Sequence, residues 1–393
     1  MERGFGDLFR AMKPLSKKNK GDVNFVKGYL DGGQLRDFKY LMKKNMAGVS
    51  FMNMGLSKDF FPDVSWPRIE LATEDNEVKV MVNAWNIKIE EQAKASAFKS
   101  FSKEAEDKIK ALIASNIVGL EDAKYAALLQ LFASEPIHIL LLGDPGTGKT
   151  DILRSVNELA PISQFGLGSG TTGVGLTAAK EGGQIHKGLL PLADEGIACI
   201  DELNLLKQED RAGLYNAMEK GFVTYDKGST HLRFEARVRV MASANPQGYK
   251  FIGKDISFLK NQMPFDPALL SRFHLVFLIR RQSTGEFVQI AKKIVSADKM
   301  KKHNPDYEFV KEYIAFSEKL DVEFDKSLQQ KVIDFAESVR KDESKFLIEI
   351  TPRFVVGIIR LSKAAARLRL NAKVIEQDVD KVLKLVKESL YFK

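Results

Sequence analysis

The run Gly143-Asp144-Pro145-Gly146-Thr147-Gly148-Lys149-Thr150 fits the pattern GxxxxGK[ST] and directly follows the apolar stretch Ile137 to Leu142. A strand entering this turn and a helical pattern leaving it form the context in which the string carries meaning. The glycines let the backbone fold tightly, so that its N–H groups and the following helix start face the phosphates of a nucleoside triphosphate. Lys149 reaches the terminal phosphates, and Thr150 offers an oxygen to Mg²⁺. Three more short apolar runs, Ile197 to Ile200, Val238 to Ser243 and Leu275 to Ile279, alternate with helical stretches. That is the layout of a buried parallel sheet wrapped by helices, an α/β core.

Two of these strands end in groups suited to hydrolysis. Gly196-Ile-Ala-Cys-Ile-Asp201-Glu202 closes on paired carboxylates. Asp201 lies where it can hold Mg²⁺ through its shell, and Glu202 where it can orient or deprotonate water as general base. The strand Val238 to Ser243 runs into Ala244-Asn245-Pro246, and the Asn245 amide is the candidate polar sensor that orients the lytic water without adding charge. Arg272, in Leu269-Leu-Ser-Arg-Phe273, and Arg353, in Ile350-Thr-Pro-Arg353, are candidates for the γ-phosphate, because a guanidinium stays charged and binds oxygens bidentately. Spacing alone assigns neither of them.

Composition bounds the rest. With 393 residues, two or three folded units are expected. The single cysteine, Cys199, forms no internal disulfide, and no Cys/His cluster has zinc spacing, so a reducing interior without structural zinc is expected. No secretory signal and no apolar run long enough for a membrane span is seen, which reads as cytoplasmic with no membrane partner. The net charge of +8 fits a polyanionic partner without requiring one. The first fifty residues carry eleven Lys or Arg against five Asp or Glu, either a solvated tail or a phosphate-contacting arm. Trp66 to Leu71 and Val78 to Ile89 read as strands of a small β-containing unit, helices resume from Ser102, and after Thr284 only amphipathic helices remain, notably Phe354 to Leu370 and Glu376 to Leu390. The expected domains are a mixed α/β N-terminal unit over 1–100, the ATPase core over 101–284 and a helical lid over 285–393.

Taken in order, the glycine loop, Ile200-Asp-Glu-Leu203, Ala242-Ser-Ala-Asn-Pro246, Leu270-Ser-Arg-Phe273 and Ile350-Thr-Pro-Arg353 resemble the AAA+ motor of the minichromosome maintenance (MCM) family of replicative helicases, over roughly Ser102 to Leu390. Ile117-Val-Gly-Leu-Glu-Asp-Ala-Lys124, Thr171-Thr-Gly-Val-Gly-Leu-Thr-Ala-Ala179, Leu192-Ala-Asp-Glu-Gly196 and Ala217-Met-Glu219 extend the likeness beyond the general ATPase motifs. The resemblance implies a homo-oligomer, a hexameric ring, with ATP and Mg²⁺ between subunits. Lys149, Thr150, Asp201, Glu202 and Asn245 would act from one subunit, with Arg272 and Arg353 reaching in from its neighbour. It also implies single-stranded and forked duplex DNA as partner, with replication-initiation proteins, in a nucleoid-associated setting. Two DNA-facing insertions are implied. One follows Ala179, where Lys180 and Lys187 are candidate contacts. The other is a hairpin around Asp226-Lys-Gly-Ser229 that would project Lys227.

Several positions depart from that family's pattern. The segment Lys180 to Lys187 is short for the helix-2 insertion, Asn204 and His274 stand where Asp is common, and Gly148 and Thr150 replace the usual Ala and Ser. About 100 N-terminal residues do not hold the full three-part N-terminal domain, its zinc cysteines are absent, and no winged helix follows. The chain therefore reads as a reduced member, of archaeal, viral or plasmid origin, or a trimmed one. Two other functions stay open: a remodelling ATPase of the MoxR or magnesium-chelatase type, and a DNA-binding replication accessory that lacks unwinding.

Overall fold

The structure is a computed structural model. It describes the backbone of Phe25–Tyr29, Ile69–Glu74 and Glu77–Asn83, and residues 94–390 apart from 182–183, 228–229, 249, 254–255, 282–284, 286–287, 289–290, 293–305 and 347–348. The chain divides into two units, Met1–Ser100 and Phe101–Lys393. In the first, β1 (Phe25–Tyr29), β2 (Ile69–Glu74) and β3 (Glu77–Asn83) form an antiparallel sheet in the order β1-β3-β2. The strand expected over Val78 to Ile89 ends at Asn83, with the remainder outside the described residues, as are the basic cluster Lys13 to Lys20 and Trp66.

The second unit starts with α1 (Ala105–Leu112) and α2 (Glu121–Leu131), then alternates strands and helices: β4 (Ile139–Gly143), α3 (Lys149–Leu159), β5 (Ser163–Leu167), the hairpin β6 (Ala178–Glu181) and β7 (Gln184–Lys187), β8 (Ile197–Asp201), α4 (Ala212–Lys220), the hairpin β9 (Phe222–Lys227) and β10 (Thr230–Glu235), β11 (Arg239–Ala244) and β12 (Leu275–Ile279). The sheet is parallel, in the order β12-β4-β11-β8-β5. Every residue of β4, β8 and β11 is buried, which is why these strands are unbroken apolar runs rather than alternating ones. The fold is thus the α/β P-loop core expected, with one strand more than the four apolar runs announced. Strand β5, Ser-Gln-Phe-Gly-Leu, lies at the sheet edge with mostly half-buried residues, so no apolar run marks it. The short insertion after Ala179 is a two-stranded hairpin.

Four helices complete the unit: α5 (Asp306–Ser317), α6 (Gln329–Lys341), α7 (Pro352–Leu368) and α8 (Glu376–Leu390). Polar groups join these helices to one another and to the core. Arg367 of α7 donates to the carbonyls of Phe132 and Leu320, Tyr313 of α5 donates to the Leu368 carbonyl at 2.6 Å, and Arg360 pairs with Glu135 at 2.9 Å. The bonds from Arg367 and Tyr313 each satisfy a carbonyl at the end of a helix or loop that burial would otherwise leave unpaired. Among the described residues, no helix is long and apolar enough to cross a membrane.

Candidate active site

Strand β4 sits between β12 and β11, where the order of the sheet reverses, the place at which open α/β sheets bind ligands beyond the carboxyl ends of their strands. The glycine loop leaves β4 there. Gly146 and Gly148 have φ of +73° and +86°, which a side chain resists, and a Cβ on Gly143 would fall 2.0 Å from the Ile279 carbonyl oxygen. Asp144 is buried. Its carboxylate accepts from Phe251 N–H at 3.0 Å and Arg281 N–H at 3.1 Å, anchoring the loop to the chain beyond β11 and β12. Ile152, Leu153, Val156 and Leu159 are buried on α3, so the helix start that follows the loop is held by the core.

Lys149 opens α3, and its ammonium turns back into the loop. It donates to the carbonyls of Gly143 at 2.8 Å and Asp144 at 2.7 Å and approaches Thr147 Oγ1 at 3.4 Å. Burial lowers its pKa to about 8, against the attraction of Asp144 and Asp201. A cation ringed by loop oxygens, beneath backbone that only glycine can follow, is a donor set matched to phosphate.

Asp201 ends β8 directly beside this loop. Its Oδ2 accepts from Thr150 Oγ1 at 2.9 Å, and its Oδ1 accepts from Ser243 Oγ and from Glu202 N–H at 3.1 Å. A hydroxyl and a carboxylate oxygen this close are the hard donors Mg²⁺ requires. Glu202 adopts φ +53°, ψ +42°, a left-handed conformation that costs a non-glycine residue about 1–2 kcal/mol. Its own N–H donates to Asp201 Oδ1 and to Ser243 Oγ, each at 3.1 Å, and these bonds hold it there. Asn245 follows β11 one strand away. Its N–H donates to Asn204 Oδ1 at 3.0 Å, which ties the segment after β11 to the turn after Glu202.

Lys149, Thr150, Asp201, Glu202 and Asn245 thus gather at the carboxyl edge of the sheet, whereas Arg272 and Arg353 lie at the opposite edge. Arg272 precedes Leu275, which pairs with Ile139 at the start of β4, while the loop leaves β4 only after Gly143. Those four strand steps alone separate the levels by about 13 Å. Arg353, in the first turn of α7, joins Arg272: its Nη1 donates to the Ser271 carbonyl at 3.1 Å, and burial together with repulsion from Arg272 lowers its pKa. Between β12 and α7, a Cβ on Gly357 would come within 3.1 Å of His274 Cδ2, so the two segments bearing the arginines pack closely.

The candidate DNA lysines occupy the two hairpins. Lys227 pairs with Thr230 at the end of β9–β10 nearest its turn, and Arg233 lies over the Phe222 ring, 3.9 Å from its centre, nearer the base. Lys180 stands opposite Ile185 near the tip of β6–β7, whereas exposed Lys187 stands opposite Ala178 at its base.

Some participants carried no assigned role in the sequence reading. Ser243, which binds both Asp201 and the Glu202 N–H, is signalled only by a hydroxyl within an apolar strand. Asn204 was visible as a departure from a family pattern, not as the acceptor for Asn245. Glu219, part of a quoted motif, pairs with Arg272 at 2.8 Å.

Comparison with known proteins agrees with this fold. The model of the MCM P-loop domain matches residues 94–298, and that of the MCM AAA-lid domain matches 308–390. The chain is 32% identical over 304 residues to the minichromosome maintenance protein MCM of Saccharolobus solfataricus, covering 72% of this chain and 44% of that protein. It is 31% identical over 332 residues to the DNA replication licensing factor MCM4 of Arabidopsis thaliana, 76% of this chain and 39% of the other. To the DNA replication licensing factor mcm7 of Xenopus tropicalis it is 32% identical over 309 residues, 72% and 43% respectively. The matched region spans less than half the length of each of these relatives.

Proposed function

Because the chain belongs to the minichromosome maintenance family, we propose that it is an ATP-driven DNA translocase that hydrolyses ATP between the subunits of a ring, a hexamer, and unwinds DNA in replication. The observation that carries this reading is the division of the site across the sheet. The phosphate loop and carboxylates are at one edge and both arginines at the other, so arginines that act on the γ-phosphate would come from a second copy in head-to-tail contact, and such a heterologous contact forms a ring when the rotation between copies closes.

In this reading Lys149 and the loop N–H groups bind the phosphates. Asn245 orients the attacking water and Glu202 takes its proton, while Arg272 and Arg353 of the neighbouring copy meet the charge that develops on the γ-phosphoryl oxygens. Thr150 and Asp201 would hold Mg²⁺, which when bound neutralises phosphate charge. Lys227 on the β9–β10 hairpin contacts the DNA backbone, with Lys180 and Lys187 as further cationic contacts, and that binding is salt-sensitive. The boundary between core and lid lies near 284, and the site of action is the cytoplasmic nucleoid.

ATPase rate with and without single-stranded DNA, at low and moderate salt, on material sized by light scattering, tests the proposal. Salt-sensitive stimulation of a ring-sized species is expected, and Lys227→Ala should spare basal hydrolysis while weakening that stimulation. A ring whose turnover ignores DNA would refute the translocase and favour a protein-remodelling ATPase.

A further inference from the structure

Tyr215 and Glu219 stand four residues apart on α4, so they lie one above the other on a single helix face. Both meet the segment that carries Arg272. At one end, Tyr215 Oη donates to Asp266 Oδ2 at 3.0 Å, while Asp266 Oδ1 accepts from Leu269 N–H at 2.8 Å and caps the single helical turn Pro267–Leu270 that leads into Arg272. At the other end, Arg272 Nη2 donates to Glu219 Oε2 at 2.8 Å, and the guanidinium carbon lies 4.8 Å from the centre of the Tyr215 ring. Nη1 turns back to the Ala268 carbonyl, and Nε is buried with no partner among the described residues.

An arginine side chain on a protein surface usually samples many rotamers, and an exposed ion pair holds it weakly. Here the Arg272 side chain is only 18% exposed and is gripped on a face, on one edge and at its backbone turn, while the Glu219 side chain is 48% exposed. None of these contacts serves the phosphate loop of the same chain, which lies at the far edge of the sheet. What they fix is direction. A guanidinium presents its five N–H groups in a rigid plane, so committing one N–H of Nη1 and one of Nη2 sets where the remaining N–H of each points.

We infer that Glu219 and Tyr215 are positioning residues for Arg272: they hold its guanidinium pre-set for a phosphate oxygen of the neighbouring copy's nucleotide. The inference rests on the proposed action of Arg272 in trans. Without the cradle, the arginine loses its rotamer freedom at the moment of reaction rather than on folding, and that loss appears in kcat and not in nucleotide binding.

A double-mutant cycle on the full chain tests this, read as kcat and KM for ATP, with circular dichroism melts confirming that each variant folds. Glu219→Ala should lower kcat about tenfold with KM within about twofold, and Glu219→Gln, which keeps an acceptor for Nη2, should recover part of the loss. In an Arg272→Ala background, Glu219→Ala should cost nothing further. An equal loss from Glu219→Ala in both backgrounds would overturn the positioning role alone, as would a gain in kcat, which would make Glu219 a restraint. An Arg272→Ala variant with unchanged kcat would instead overturn the trans reading on which the inference rests.

Discussion

Acid should weaken this protein through two buried imidazoles, and the size of the effect follows from their bonding. His138 Nδ1 accepts from Val240 N–H at 3.1 Å, so its proton is on Nε2, which donates to the Met218 carbonyl at 3.1 Å. His274 Nδ1 accepts from His138 N–H at 3.0 Å. Protonating either Nδ1 would set two hydrogens against each other, and both rings are buried. Burial pushes His138 down to about 3 and His274 to about 2; Arg353 and Arg360 add repulsion to each, and His138 adds more at His274. In the unfolded chain both titrate near 6.5. Between those values the unfolded state binds more protons than the folded one, so the stabilisation is complete above about pH 6.5 and falls as pH drops. At pH 5 each histidine has cost about 2 kcal/mol relative to neutral pH, about 4 kcal/mol together, a large part of a typical domain's stability. Urea unfolding of the wild type and of His274→Asn, whose Oδ1 can still accept from His138 N–H, followed by far-UV circular dichroism from pH 5 to 7.5, isolates one ring. The helical signal is the right reporter, because both tryptophans, Trp66 and Trp85, belong to the N-terminal unit. The wild type should lose about 2 kcal/mol more than the variant over that range. Identical pH slopes, whatever the offset between the curves, would refute the assignment of a buried neutral ring at 274.

Three further outcomes are expected. Because burial lowers Lys149 to about 8, KM for ATP should be flat below pH 8 and rise above it, by up to about tenfold per pH unit, as the free amine must take up a proton on binding; a flat KM to pH 9.5 would contradict this. Glu202→Gln should reduce kcat by about a hundredfold or more while nucleotide retention on a filter stays at the wild-type level. When Lys149→Ala and Arg272→Ala chains are mixed in equal amounts, about a quarter of head-to-tail interfaces join an intact lysine to an intact arginine, so ATPase activity should recover towards that fraction, and no recovery at any ratio would place Arg272 outside the site.

The elements whose environment is uniform were legible in the residues. Strands β4, β8 and β11 are buried on both faces and therefore announce themselves as apolar runs, and the glycine loop is visible because positions 143, 146 and 148 tolerate nothing with a Cβ or an ordinary φ. From those runs and the groups at their ends, Lys149, Thr150, Asp201, Glu202 and Asn245 followed by position alone. Strand β5 did not, because an edge strand with half-buried residues has no apolar period to detect.

Tertiary structure decided what depends on strand order and on pairs distant in sequence. That Arg272 stands about 13 Å from the level of the loop follows from β12 pairing in parallel with β4, a neighbour relation that nothing local encodes. The bond of Ser243 to Asp201, the acceptance of the Asn245 N–H by Asn204, and the grip of Glu219 on Arg272 each join residues 41 or more positions apart. A sequence records which groups are available and how each segment repeats; which of them share a hydrogen bond is fixed only when the sheet brings their segments side by side.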